Sequence, residues 1–441
     1  MFHNFNSSDF FNGSPTEQLA CLNRAVEYVQ LSEELERRFM AAVKRMKQAF
    51  NLCSSSEKFS DEDKDYIHFY CAVRSILFKL TKGDAPDIAV SYTHLYTPKC
   101  IVNLIAEMLE PYDGILYDPC CGSGGMFVQS IKFVEAHSGN KKKVSIYGQE
   151  YTNTTFKLAK MNLAIRGISA NLGEMAANTF TNDQHKDLKA DFIMANPPFN
   201  QKQWRAENEL VDDPRWNGYE VPPTSNANYG WILNIVSKLS QNGVAGFLLA
   251  NGALSDDGTE LKIRKQLIEN NLVEAIIILP RNLFYTTDIS VTLWILNKNK
   301  KAQTVEQNGV LKHYRNREKE ILFMDLRQMG SPYEKKYIEL TDEDRTKVTS
   351  VYHAWQQEGY EETYQNVPEF CYSASFEEVE EKGFTLVPSR YIEFVNRDEN
   401  IDFDTKMKTL QSELKELLIA EEKSKADLLS VFKGLGYEIK L

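Results

Sequence analysis

The sequence predicts an α/β protein built on a doubly wound, mostly parallel sheet, with a helical segment before it and a helical tail after it. Three observations carry that expectation. From about Tyr96 to Asn297, short apolar runs alternate with stretches of helical periodicity: "GILYD", "VSIYGQE", "DFIMAN", "VAGFLLAN", "EAIIILP" and "VTLWILN". A glycine-rich turn, "DPCCGSGG", follows the first run, with a helix expected from about Met126. An acid, Glu150, ends the second run.

The flanking segments read differently. Residues 15–80 suggest helices; Ser32 is a plausible N-cap ahead of Leu35, Phe39, Val43, Met46 and Phe50 at helical spacing. Residues 83–91 break that pattern. At the other end Phe403, Met407, Leu410, Leu414 and Leu417 form an apolar seam after Asp402, for about two to three heptads, before Glu421 and Ser424 interrupt it. The expected division is a helical segment at 1–90, the sheet domain at 91–300, a mixed α/β extension at 301–400 and a docking helix at 401–441.

Composition narrows the function classes. The 441 residues are 42% hydrophobic and 26% charged, as in ordinary globular proteins. No run approaches the roughly 18 apolar residues of a membrane span, and no signal segment opens the chain, so a cytoplasmic protein with no membrane partner is expected. Seven scattered cysteines without a C-x-x-C pair give neither a disulfide framework nor a zinc site. The formal charge of −11 lacks the footprint of a stand-alone nucleic-acid binder, leaving a local basic groove or a more basic partner.

The glycine loop is not a phosphate grip. It lacks the G-x-G-x-x-G fingerprint, and no Lys-Ser/Thr follows as in a P-loop. Its glycines permit positive φ and close approach of a ligand to the backbone. Glu150, at the tip of the second strand, is placed to accept hydrogen bonds from a ribose. Together they suit an adenosine carrying a non-phosphate group, and S-adenosylmethionine fits. A plain strand–helix turn and an exposed loop acid are the bland alternatives. Upstream, in "LYTPKCIVNLIAEML" at 95–109, Thr97 and Pro98 read as the N-cap and first-turn pair of an amphipathic helix.

A later strand stops abruptly at Asn196-Pro197-Pro198-Phe199. Methylating an exocyclic amine explains these residue types. The amine's lone pair is delocalised into its ring, and two acceptors, the Asn196 side-chain oxygen and the Pro197 carbonyl, can hold its two N–H groups and localise that pair. The prolines fix the carbonyl's direction. Phe199 offers a face for a base extruded from a duplex, worth roughly 1–3 kcal/mol. An ordinary strand-ending turn is the competing account. Cys120 sits too deep in the cofactor loop to attack a base, and "CGSGG" has Cys121 where a serine elbow needs glycine.

With "YTPK", "DPCCGSGG", "GQE" and "NPPF" in that order, and the long stretch from "NYGWILNIVSKL" to "VTLWILNKNK", residues 96–441 resemble the modification (methyltransferase) subunits of type I restriction–modification systems, of the N6-adenine class. The resemblance implies a Rossmann-like methyltransferase sheet. It implies cofactor contacts from Tyr96, Thr97, Pro98, Asp118, Pro119, Cys120, Cys121, Gly122, Ser123, Gly124, Gly125, Glu150 and Asn178, and a target-base site at Asn196 to Phe199. It further implies duplex DNA as substrate and no metal. The implied partners are a specificity subunit, a second modification subunit and, in the full complex, a restriction subunit. Residues 1–89 instead resemble a helical C-terminal piece of the restriction subunit, without P-loop or nuclease carboxylates.

The joint "VSYTHL" at 90–95 is expected to match neither family and resembles translated adapter sequence; it puts Leu95 where the resemblance favours an aromatic residue. Two joined gene fragments are the expectation and a genuine fusion the alternative. Other activities compatible with Asn-Pro-Pro-Phe are methylation of a protein glutamine or an RNA base; an inactive chimeric assembly subunit is the non-enzymatic reading. Re-amplifying the locus across codons 80 to 110 is expected to separate the two fragments; an uninterrupted product of this sequence would establish a true fusion.

Overall fold

The computed structural model describes residues 97–284, 290–333, 337–394 and 403–434. The helices expected between 15 and 80, Leu95 and Tyr96 lie outside the described residues. All six expected strands are present, and they are joined in one nine-stranded sheet of order β13-β10-β6-β7-β5-β4-β1-β2-β3. In chain order the first elements are α1 (Lys99–Leu109), β1 (Gly114–Asp118), α2 (Gly125–Ala136), β2 (Val144–Gly148), α3 (Asn153–Ile165) and β3 (Ala170–Asn171). Then come β4 (Ala190–Ala195), α4 (Asn228–Lys238), β5 (Leu239–Ala250), α5 (Thr259–Glu269), β6 (Val273–Ile278) and β7 (Val291–Asn297).

Alternation along the strands splits the core between two faces. Leu116, Met194, Leu248, Ile277 and Ile295 pack into one apolar cluster with α1 and α2. Their neighbours Tyr117, Ile193, Phe247, Ile276 and Trp294 pack into a second cluster with α4 and α5. A strand covered on both faces must be apolar throughout, which is why these runs read as continuous rather than alternating. Strands β3, β2, β1, β4 and β5 are parallel. β7 is antiparallel to both neighbours, wedged between β5 and β6.

β1 lies between β2 and β4, so the strand order reverses there and the carboxyl ends of β1 and β4 open onto a common crevice. Close contact under this crevice depends on Gly246 in β5. A Cβ there would lie 2.8 Å from Ile105 Cγ2 and 2.9 Å from Leu109 Cδ1, on the inward face of α1.

The remaining elements are β8 (Gln303–Gln307), β9 (Val310–Tyr314), β10 (Glu320–Asp325), β11 (Ser331–Tyr333), β12 (Tyr337–Glu339), α6 (Asp342–Gln356), β13 (Cys371–Ser375), α7 (Phe376–Glu381) and α8 (Phe403–Gly434). Of these strands, β10 and β13 enlarge the same sheet, while β8–β9 and β11–β12 form two small antiparallel ribbons. β10 adds parallel to β6, and β13 closes that edge antiparallel. Glu274 of β6 is fully buried, and accepts from Gln356 Nε2 at 2.5 Å and Tyr352 Oη at 3.3 Å, with Arg317 Nε 3.5 Å away.

The extension also grips α1. Gln307 Nε2 donates to Glu110 O at 2.7 Å, Arg345 Nε to Glu107 Oε1 at 3.2 Å, His353 Nε2 to Glu107 O at 3.0 Å, and Lys312 pairs with the Glu110 carboxylate. α8 runs on through Glu421 and Ser424, because interruption of an apolar seam does not interrupt helix-forming residues. Its Met407, Leu410, Leu414 and Leu417 are exposed. Among the described residues no helix is long and apolar enough to cross a membrane. Substituting Gly246→Ala is expected to cost about 1–3 kcal/mol through overpacking against α1, seen as a lower urea midpoint; an unchanged midpoint would show that Ile105 and Leu109 yield freely.

Candidate active site

The glycine loop leaves β1 at Asp118 and turns twice, with φ of 54° at Gly122 and 79° at Gly124. Gly124 then caps α2, and a Cβ on it would lie 3.3 Å from Leu163 of α3. Glycine is required on both counts. The loop is laced to its neighbours by backbone groups. Cys121 N donates to Gln149 O at 2.9 Å, Gln149 N to Asp118 O at 3.0 Å and Asn162 Nδ2 to Ser123 O at 2.7 Å. Thr179 Oγ1 donates to Pro119 O at 2.5 Å.

Glu150 sits directly beside this loop. Its carboxylate accepts from Gly122 N at 3.1 Å and from Thr152 N at 2.8 Å, which fixes both oxygens and leaves each a second lone pair. Ala177 N donates to Glu150 O at 2.9 Å and brings the next turn alongside. Asn178 heads that turn; its Oδ1 accepts from Phe180 N at 2.8 Å and its carbonyl from Asn182 N at 2.8 Å. Asn178 therefore shapes the wall next to Glu150. Tyr151, 72% exposed, follows Glu150.

On the other side of the crevice, Asn196 follows β4. Here Thr97 departs from its expected role. Pro98, not Thr97, is the N-cap of α1, and no side chain caps that helix. Pro98 O instead receives Ile101 N and Val102 N at 3.0 and 3.2 Å. The Thr97 hydroxyl is turned away to accept Asn196 Nδ2 at 3.0 Å, so a tertiary partner 99 positions away has displaced the local cap. With its amide nitrogen held, Asn196 points its Oδ1 elsewhere; that oxygen is buried and has no hydrogen-bond partner. A buried acceptor left open costs free energy unless a ligand supplies the donor.

Pro197 is buried, while Phe199 is partly buried and meets Phe284 edge to face, with ring centroids 6.0 Å apart at 84°. Phe284 belongs to no motif of the sequence. The available signal was its position, six residues beyond the end of β6 on the same carboxyl edge.

Charges in the crevice are held back by burial. Desolvation pushes the Asp118 carboxyl up to about 7, with the nearby Glu150 charge adding to it, against the lowering effect of the Cys120 N–H. Burial also raises Glu150, opposed by the N–H groups of Thr152 and Gly122. The Cys120 and Cys121 thiols are pushed well up by desolvation and by the two acids, so neither is a thiolate at neutral pH and neither is suited to nucleophilic attack.

The Asp118 shift sets a pH dependence. Folded, this carboxyl keeps its proton up to about pH 7; unfolded, it loses it near 3.8. Between those values the folded state binds more protons, so the contribution to stability is full below 3.8 and lost as pH rises through 7. The unfolding free energy of the unaltered chain, relative to Asp118→Asn, is expected to fall between about pH 4 and 7 and to level outside that window. Urea titrations at stepped pH would measure it, and a flat difference would contradict it.

Comparison with known proteins gives the family. Residues 84–400 match the family described as N-6 DNA Methylase. Residues 1–107 match a second family, described as Type I restriction enzyme HindI endonuclease subunit-like, C-terminal. The HindI methylase subunit of Haemophilus influenzae is 44% identical over 346 residues, 78% of this chain and 73% of the relative. The MjaIX methylase subunit of Methanocaldococcus jannaschii is 34% identical over 78% of this chain and 59% of its own length. Among solved structures, the methyltransferase subunit of a type I restriction-modification system from Streptococcus thermophilus superposes with a TM-score of 0.57 at 26% identity, covering 68% of this chain and 59% of that one. The chain belongs to the N-6 DNA methylase family, the adenine-methylating DNA methyltransferases that include the methylase subunits of type I restriction enzymes.

Proposed function

We propose that this chain transfers the methyl group of S-adenosylmethionine to the N6 amine of an adenine turned out of duplex DNA, as the catalytic modification subunit of a type I restriction–modification complex. The observation that carries the reading is the buried, unpartnered Asn196 Oδ1, aimed by the Thr97 hydroxyl beside the glycine loop. The residues fit the cofactor. Gly122 and Gly124 leave room at the loop backbone, Glu150 offers ribose acceptors, and Tyr151 presents an exposed ring beside them. Asp118 to Gly125, Glu150 and the turn at Asn178 would hold it, with Thr97 and Pro98 closing the side toward Asn196.

S-adenosylmethionine, when bound, supplies an electrophilic sulfonium methyl group. The chain's own residues do the rest. Asn196 Oδ1 and Pro197 O accept the two N–H groups of the amine and stabilise the positive charge that builds on nitrogen as the bond to carbon forms and the carbon–sulfur bond breaks, after which the nitrogen gives up one proton to solvent. Phe199 and Phe284 make an aromatic corner that holds the extruded ring. Buried, neutral thiols keep competing nucleophiles out of the reaction.

The exposed Met407, Leu410, Leu414 and Leu417 of α8 form the surface we assign to docking on a specificity subunit, which would also supply positive charge that a chain of net −11 lacks. A second modification subunit and a restriction subunit would complete the assembly. Calorimetric titration should show saturable S-adenosylmethionine binding, weakened about tenfold or more by Glu150→Ala. Asn196→Ala should leave that affinity intact while cutting transfer to adenine about 100-fold or more. No binding by the well-folded chain would sink the reading.

A further inference from the structure

Asn228 opens α4, yet its side chain does nothing for that helix. It lies one residue past the N-cap Ala227, and its own N–H is taken by Asn226 Oδ1 at 3.0 Å. Its side-chain amide is fully buried and commits both hydrogen-bonding ends to one distant residue. Asn228 Oδ1 accepts from Asn200 N at 3.1 Å, and Asn228 Nδ2 donates to Asn200 Oδ1 at 2.9 Å. Burying an amide costs free energy that an apolar residue at this position would avoid, so the pair must serve something other than packing.

What it touches is the residue directly after Phe199. Asn200 stands in the left-handed region, φ 50°, so the chain reverses there and that reversal sets where the preceding tetrapeptide points. The same pair is the first rung of a closed stem. Ala227 N donates to Gln201 O at 2.9 Å, Gln203 N to Thr224 O at 3.2 Å, Trp204 Nε1 to Pro223 O at 2.8 Å and Arg205 Nη2 to Pro222 O at 2.7 Å. The Asn196–Phe199 stretch is thus held at both ends, by Thr97 before it and by Asn228 after it.

We propose that Asn228 is a positioning residue for methyl transfer: through its reciprocal amide pair with Asn200 it fixes the Pro197 carbonyl and the Phe199 ring against the target base. This rests on the reading that Asn196 to Phe199 hold that base. Two acceptors must meet two N–H groups at once, and misplacement of about 1 Å can cost on the order of 100-fold in rate.

The test uses the full chain reconstituted with its specificity subunit, tritiated S-adenosylmethionine and genomic DNA amplified in vitro, hence unmethylated. Asn228→Ala and Asn200→Gly are each expected to lower kcat about 10- to 100-fold, with the S-adenosylmethionine Kd within about twofold of the unaltered chain. Glycine adopts φ 50° without strain, so Asn200→Gly removes the side-chain bond from Asn228 Nδ2 while keeping the backbone bond to Asn228 Oδ1, and it answers alone if Asn228→Ala fails to fold. Because both act through one pair, the double variant should be no slower than the slower single one. An unchanged kcat in Asn200→Gly, multiplicative losses in the double variant, or a Kd that worsens in step with kcat would overturn the inference. Failure of the unaltered complex to transfer methyl groups would overturn the functional reading beneath it as well.

Discussion

The parallel register of β1 against β4, with Leu116 opposite Phe192 and Tyr117 opposite Ile193, is the constraint on which the site depends. Helices covering opposite faces leave these two strands at the point where strand order reverses, and the crevice beyond their carboxyl ends is open by construction. Three short segments hang from that edge: Pro119–Gly125 after β1, Gln149–Tyr151 after β2 and Asn196–Phe199 after β4. A slip of one residue would exchange the two faces of a strand, turning Leu116 and Met194 out of one core cluster and Tyr117 and Ile193 out of the other. The chemistry is anchored by apolar burial.

Within the crevice, polarity is rationed. The acids Asp118 and Glu150 are both raised by desolvation, the adjacent thiols are neutral, and backbone N–H groups supply most of the donors around the loop. Burial thus shifts both acids toward their protonated forms before a ligand arrives. A cationic cofactor entering it would favour the ionised acids, and an amine becoming positive would find fixed carbonyl dipoles that need no reorganisation. Asn196 concentrates that logic: one end of its amide is tied down, the other is open.

The extension beyond residue 300 serves the same site at a distance. By adding β10 and β13 to the sheet and bonding to Glu107 and Glu110, it fixes the last turn of α1, the helix that begins directly after Thr97 and Pro98. Thr97 in turn orients Asn196. Residues 1–107 match an endonuclease-subunit family and 84–400 the methylase family, so the two matches overlap over 84–107, a stretch that includes the threonine that orients the amide.

Much of this was legible before folding. The strands, the glycine loop, Glu150 and the Asn-Pro-Pro-Phe stop are local patterns, readable because burial on both sheet faces and sharp turns restrict residue type on the spot. The antiparallel insertion of β7, the loss of the Thr97 cap to Asn196, the Phe284 edge against Phe199 and the Asn200–Asn228 pair were not legible. Each joins residues tens of positions apart, and Thr97 alone would have capped a helix as well as oriented an amide. The sequence by itself determined which chemical groups exist and that strand ends would present them. Only the tertiary structure decided which of a polar group's possible partners it keeps, because local and distant hydrogen bonds have similar energies and packing settles the choice between them.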